Sequence, residues 1–98
     1  MYKTIILPLA KQDIKEAANW YNKQNRGLGK RFTKEIRNKV KFIKNNPKAI
    51  AVRYDDIRAA VVDGFPFMIH FRIEENLKLV VIPAVYHTSQ NPSIWERR

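Results

Sequence analysis

The chain has 98 residues, enough for one domain with a single modest core; it has no cysteine, which excludes a disulfide framework and a thiolate zinc site, and its two histidines and nine scattered carboxylates argue against a metal centre. The formal charge of +10 is lopsided: residues 1–49 carry 13 Lys and Arg against 3 Asp and Glu, and residues 50–98 carry 6 against 6. A one-sided basic field attracts a polyanion, whether nucleic acid, ribosome or acidic protein, although a solvated lysine-rich helix face has the same composition.

The segment TIILPL, residues 4–9, predicts a short strand stopped by Pro8. From Ala10 the period changes: Ile14, Ala17, Ala18 and Tyr21 fall on one face of a helix, with Lys11, Asp13, Lys15 and Lys23 elsewhere. The turn NKQNRG comes next. A second helix carries the apolar stripe Leu28, Phe32, Ile36, Val40 and Ile43, and Lys30, Arg31, Lys34, Arg37, Lys41 and Lys44 take the remaining positions. Asn45-Asn46-Pro47 ends it, because proline cannot continue the helix and restricts the residue before it.

Beyond Pro47 the period becomes two. Residues 49–53 form a possible short strand, and residues 57–62 alternate up to the turn signal Asp63-Gly64. Residues 67–73 place Phe67, Ile69, Phe71 and Ile73 on one face and Met68, His70 and Arg72 on the other. Glu74-Glu75-Asn76 reads as a hairpin turn and residues 77–87 as the last strand, where Pro83 calls for an edge or a bulge. The order is a strand, a two-helix hairpin, then a three- to four-stranded antiparallel sheet: a single α+β domain over residues 1–98. The helices should cover one sheet face and leave Arg72 and His70, with Arg58 as a further candidate, on the other.

Metal-free RNA cleavage through the 2′-hydroxyl needs a base, an acid, and cations for the phosphorane charge. Histidine serves either proton-transfer role near neutral pH, and arginine matches phosphate bidentately. Arg58, Arg72 and His87 are the catalytic candidates on this chemistry. Each has a plainer alternative: Arg72 can pair with Glu74, Glu75 or Asp63, and His87 can hydrogen-bond its turn through Thr88 or Ser89. His70 reads as a surface or partly buried residue. Lys30, Lys34, Arg37, Lys41 and Lys44 could track a nucleic-acid backbone or bind an acidic peptide. Trp20 lies off the main apolar face of its helix, where it could pack under the tail or meet a partner. In the tail, Pro92 is expected to turn the chain, Trp95 to anchor it on the domain and Arg98 to project beside the site, a clasp that would fix His87. No charged-then-apolar leader, apolar run of spanning length or cofactor motif is present, so a soluble cytoplasmic protein without a cofactor is expected.

The series Trp20-Tyr21, Leu28-Gly29 with Phe32, Asn46-Pro47, Arg58, Phe65-Pro66, Ala84-Val85 with His87, then Pro92, Trp95 and Arg98 resembles a subgroup of the RelE/ParE superfamily, toxins of type II toxin–antitoxin systems. The resemblance covers nearly the whole chain. It implies a growth-arresting toxin bound by a small, often acidic antitoxin, with one of two targets. RelE-like members cut mRNA on the ribosome without a metal; ParE-like members poison DNA gyrase. Gln90 stands near the place where the family often carries an arginine, which removes a candidate phosphate clamp, and the lysine-rich sheet strand of RelE-type nucleases is absent. A non-toxic or degenerate basic RNA-binding domain is the alternative.

Overall fold

Pro8 opens the first helix rather than merely closing a strand. In the computed structural model, which describes residues 1–89, β1 (Lys3–Ile6) gives way at Leu7 to α1 (Pro8–Gln24), with proline in the first turn. That position has no intrahelical acceptor for its N–H, so the missing donor costs nothing there. The chain then breaks at Asn25–Gly27, and Gly27 adopts φ 85°, a left-handed conformation that glycine tolerates. α2 (Leu28–Asn45) ends at Asn46, and a short 3₁₀ turn begins with Pro47. Four strands follow among the described residues: β2 (Val52–Tyr54), β3 (Ile57–Val61), β4 (Phe67–Glu74) and β5 (Leu79–His87).

The expected α+β architecture is present, with two refinements. β2 starts three residues later than the sequence pattern placed it, because Pro47–Ala49 coil into the 3₁₀ turn. The N-terminal strand joins the sheet by pairing parallel to β5, giving one five-stranded sheet ordered β1-β5-β4-β3-β2. β5 is therefore an interior strand, and the Pro83 signal resolves as a bulge. His70 pairs with Ala84 and Arg72 with Val81, so β5 uses one residue more than β4 over this interval. The extra residue re-phases the strand. Val80 and Ile82 face the helices before it, Val85 does so after it, and Ala84 and Tyr86 fall on the opposite face.

The main core lies between the sheet and the hairpin. Ala10, Ala17 and Tyr21 of α1 and Phe32, Ile36 and Ile43 of α2 pack on Ala60, Val62, Ile69, Phe71, Val80, Ile82 and Val85. Phe32 sits at its centre, with ring centroids 5.4 Å from Tyr21, 5.2 Å from Phe65 and 5.1 Å from Phe67. The Phe65 and Phe67 pairs are edge-to-face, an arrangement that adds about 1 kcal/mol each beyond the area buried, and the Tyr21 pair is tilted. The helices approach closely at Gly29, whose N–H donates to Asn22 Oδ1 at 2.8 Å. A Cβ at Gly29 would stand 2.3 Å from the Ala18 carbonyl oxygen.

A second, smaller cluster of Met68, Ala84 and Tyr86, bordered by Tyr54 and Ala59, occupies the other sheet face. His70 lies in it, fully buried rather than at the surface. Its Nδ1 is 3.0 Å from Tyr54 Oη, and its ring meets Tyr86 edge-on at 5.1 Å. Burial first, and the Arg53 guanidinium second, depress its pKa to about 4.

These contacts set measurable consequences. Gly29→Ala should lower the unfolding free energy by about 2–3 kcal/mol despite its better helix propensity, because the clash is with backbone. Gly27→Ala, which meets open space but needs a left-handed residue, should cost only about 1 kcal/mol, as read from urea midpoints. His70 gives a pH signature. Its folded pKa lies below the unfolded value of about 6.5, so the unfolded chain binds the proton first and stability falls as pH drops from about 6.5 to about 4. The loss is on the order of 3 kcal/mol, and the difference in pH dependence between wild type and His70→Gln should show it.

Candidate functional site

A row of cations runs along α2. Lys30, Lys34, Arg37, Lys41 and Lys44 are spaced four, three, four and three residues apart, which sets them on one stripe. The core-facing residues Phe32, Ile36 and Ile43 hold the opposite side of the helix, so burial of that side turns the cations outward. Lys30, Lys34, Arg37 and Lys41 are exposed, and Lys44 is half-buried. The row is about 21 Å long at 1.5 Å rise per residue. Lys39, one stripe over, is drawn instead to Asp63 at 3.4 Å.

A groove of about 660 Å³ opens on the other helix, between α1 and the far end of the sheet. Ala17, Trp20, Tyr21, Phe67 and Val85 form its apolar wall, and Asp13, Glu16 and His87 its polar rim. Asp13 Oδ2 accepts the Val85 N–H at 3.0 Å. That bond takes over on β5 where β1 has ended, its last backbone link being Leu7 N–H to Ile82 O at 2.9 Å. Trp20 stays 57% exposed above this wall while its neighbour Tyr21 is buried. Asp13 gave no signal in the sequence, since a lone carboxylate on a helix reads as a solvated residue; Trp20 did, by standing off the apolar face.

The structure does not gather the three catalytic candidates. His87 pairs with Phe67, and Arg58 with Phe71, and both phenylalanines belong to the helix side of the sheet. His87 and Arg58 therefore share that face rather than the open one, separated by four residues along the strands and two strand spacings across, roughly 13 Å and 10 Å. Arg72 pairs with Val81 on the opposite face. The expectation that Arg58 could share the open face with Arg72 and His70 is corrected on this point. The bulge at Pro83 moves His87 to the helix side, and the β3 register does the same for Arg58.

Each of these side chains also has a local partner. Arg58 Nη1 donates to the Ile50 carbonyl at 2.6 Å, tying β3 to the segment after α2. Arg72 Nε donates to Glu74 Oε1 at 3.0 Å, one of the pairings the sequence offered. His87 Nδ1 accepts the Ser89 N–H at 3.0 Å and lies 2.7 Å from Ser89 Oγ, holding the turn. Its ring sits edge-on to Phe67 at 5.1 Å. Gln90, Pro92, Trp95 and Arg98 lie outside the described residues. Among the described residues, no three His, Asp or Glu side chains gather to hold a metal ion, and no helix is long and apolar enough to cross a membrane.

Comparison with known proteins places this architecture. The sequence model of the ParE toxin of the type II toxin–antitoxin system parDE matches residues 4–92. No curated protein sequence matches significantly. Among solved structures, the chain is similar to one from the chromosomal ParDE toxin–antitoxin system of P. aeruginosa, with a TM-score of 0.66 at 17% identity over 91% of this chain and 98% of that one. It is also similar to one from the RelBE2 toxin–antitoxin complex of Mycobacterium tuberculosis, with a TM-score of 0.51 at 17% identity over 88% and 96% of the two chains. The strand, helical hairpin and sheet are thus a fold shared with both of these structures, and the sequence match to the family spans nearly all of it: the chain belongs to the ParE toxin family of type II toxin–antitoxin systems.

Proposed function

We propose that this toxin arrests growth by binding and disabling DNA gyrase, performs no chemistry of its own, and is neutralised by a cognate antitoxin. The observation that carries this reading is the dispersal of Arg58, Arg72 and His87. A metal-free ribonuclease needs its base, acid and phosphate-binding cations around one phosphodiester, with proton transfers over hydrogen-bond distance or through one water. Here Arg72 is on the other side of the sheet from His87, and Arg58 is two strands away from it. The partners at Ile50, Glu74 and Ser89 give all three structural work. Gln90, in place of a guanidinium, fits the same reading.

Target binding then falls to surfaces. The cation row Lys30, Lys34, Arg37, Lys41 and Lys44 suits an acidic surface, and its field would raise the rate of encounter with one. An acidic segment of the antitoxin is a second fit for the same row, which would make neutralisation a competition for charge. The solved structures it resembles come from toxin–antitoxin systems, and this supports an antitoxin for this chain too. The row also favours a second reading, a ribosome-directed endoribonuclease, because phosphate backbones present the same charge. A plain RNA-binding domain shares the row but causes no arrest.

Inducible expression separates these. The expected result is growth arrest with accumulating DNA breaks and no cleavage of ribosome-bound mRNA. His87→Ala and Arg72→Ala should leave arrest intact, while reversing Lys34, Arg37 and Lys41 to Glu should weaken gyrase binding about tenfold or more, about 1.4 kcal/mol. Ribosome-dependent mRNA cleavage abolished by His87→Ala would replace this reading with the nuclease. Expression without arrest would leave the RNA-binding domain.

A further inference from the structure

α2 carries seven Lys and Arg against one Glu, and five of the seven stand on the single stripe Lys30, Lys34, Arg37, Lys41 and Lys44. Successive members are three or four residues apart, so each repels the next, and like charges at that spacing weaken a helix. A face that serves only solubility mixes its signs. The one carboxylate of the helix, Glu35, is engaged by Asn38, whose Nδ2–H it accepts at 2.9 Å. The ion pairs among the described residues are made by Lys39, Lys48, Arg72 and Lys78, none of them on the stripe. The protein therefore carries this repulsion along α2, and a polyanion laid on the stripe relieves it.

The neighbouring side chains say which polyanion. Of the large apolar residues of α2, only Phe42 is well exposed, and it stands about 100° round the helix from Lys41, with Lys39 Nζ 5.4 Å from its ring centroid. The stripe itself has no aromatic or aliphatic anchor, the feature around which a protein–protein interface is built; charges without such a centre set encounter rates more than affinity. It equally lacks the aromatic platform on which the bases of a single strand stack. A duplex needs neither. Its backbone is a regular line of charge, and cations hold it without reading its sequence.

We propose that the α2 stripe is a binding site for the phosphate backbone of duplex DNA, engaged without regard to sequence. The lengths agree. A stripe of about 21 Å runs beside roughly twelve phosphates of a duplex that presents one charge per ~1.7 Å of its axis, so five cations each find a partner. The mounting is rigid, because Phe32, Ile36 and Ile43 seat the other side of α2 in the core. The proposal deepens the gyrase reading and rests on it for the choice of DNA over an RNA duplex: a toxin bound to gyrase meets the DNA on which gyrase works. The weakening expected at gyrase when Lys34, Arg37 and Lys41 are reversed is then a lost DNA contact, and belongs to gyrase with DNA bound.

Fluorescence anisotropy of a labelled DNA duplex of arbitrary sequence, titrated with the full chain, tests it. Four to five phosphate contacts give a log–log salt slope of about −4, so binding should be about 150–500-fold weaker at 200 mM than at 50 mM salt. A change of duplex sequence should leave the affinity unchanged. Lys34→Gln, Arg37→Gln and Lys41→Gln should each flatten the slope by about one, a reading that single, exposed substitutions give without disturbing the fold. Lys11→Gln, Lys15→Gln and Lys23→Gln combined, exposed on α1, should leave the slope as it is. No binding at 50 mM salt would overturn the proposal. Equal losses from the α1 and α2 variants would too, by making the binding a property of the net charge of +10. So would tighter binding to a single-stranded RNA of the same length, or a triple reversal that weakens gyrase binding as much without DNA as with it. The gyrase reading is scored apart, by DNA breaks and mRNA cleavage in cells: it can fall while the duplex binds, and the duplex can fail to bind while breaks accumulate.

Discussion

The aromatic wedge of Tyr21, Phe32, Phe65 and Phe67 is the contact on which the rest of the structure depends. It joins both helices to the sheet at one point. Gly29 permits the approach, since any larger residue would push the α2 backbone away from Ala18 and lift Phe32 from its place. Once the wedge is formed, α2 has no rotational freedom left, and its cations must face solvent. The same wedge fixes Tyr21, which orients α1 so that Trp20 overhangs the groove. Both candidate binding surfaces are therefore consequences of packing, not additions to it.

The electrostatics of the molecule divide along the same line. Cations on α2 stand in a row in high dielectric, where individual ion pairs are worth little and the summed field matters. Arginines on the sheet are instead used singly, as ties: Arg58 to a carbonyl and Arg72 to a carboxylate. A guanidinium held by a backbone carbonyl at 2.6 Å braces a loop. It has to give that bond up before it can clamp a phosphate. The imidazole of His70 is likewise employed as a neutral core group, hydrogen-bonded and ringed by aromatics. Arg58, Arg72 and His70 thus each have a partner within the fold.

Much of this could be read in the sequence, and the parts that could not share a cause. α2 was legible because an 18-residue amphipathic pattern has one reading, and β4 because its alternation is unbroken from Phe67 to Ile73. The local alternatives for Arg72 and His87 were legible too, because Glu74 and Ser89 are near neighbours in the chain. Distant pairing was not. Nothing in TIILPL says that it will lie parallel to a strand more than seventy residues away. Pro8 was legible as a breaker, but whether it ends one element or begins the next is decided by the helical pattern on its C-terminal side. The depth of His70 escaped for the same reason as the parallel pairing: Tyr54 and Tyr86, which its ring meets, belong to other strands. The expected placement of Arg58 on the open face was missed because it rested on strand register, which the sequence leaves open.

The bulge at Pro83 shows how much hangs on a single unit of chain length. It shifts every later side chain of β5 by one position, so that an imidazole looks into the groove and a phenol looks into the opposite cluster. Losing one residue there would exchange the two without altering any other letter of the strand. A scaffold built this way can change the chemistry it offers on either side through an insertion or a deletion, and its functional repertoire is encoded in spacing as much as in residue type.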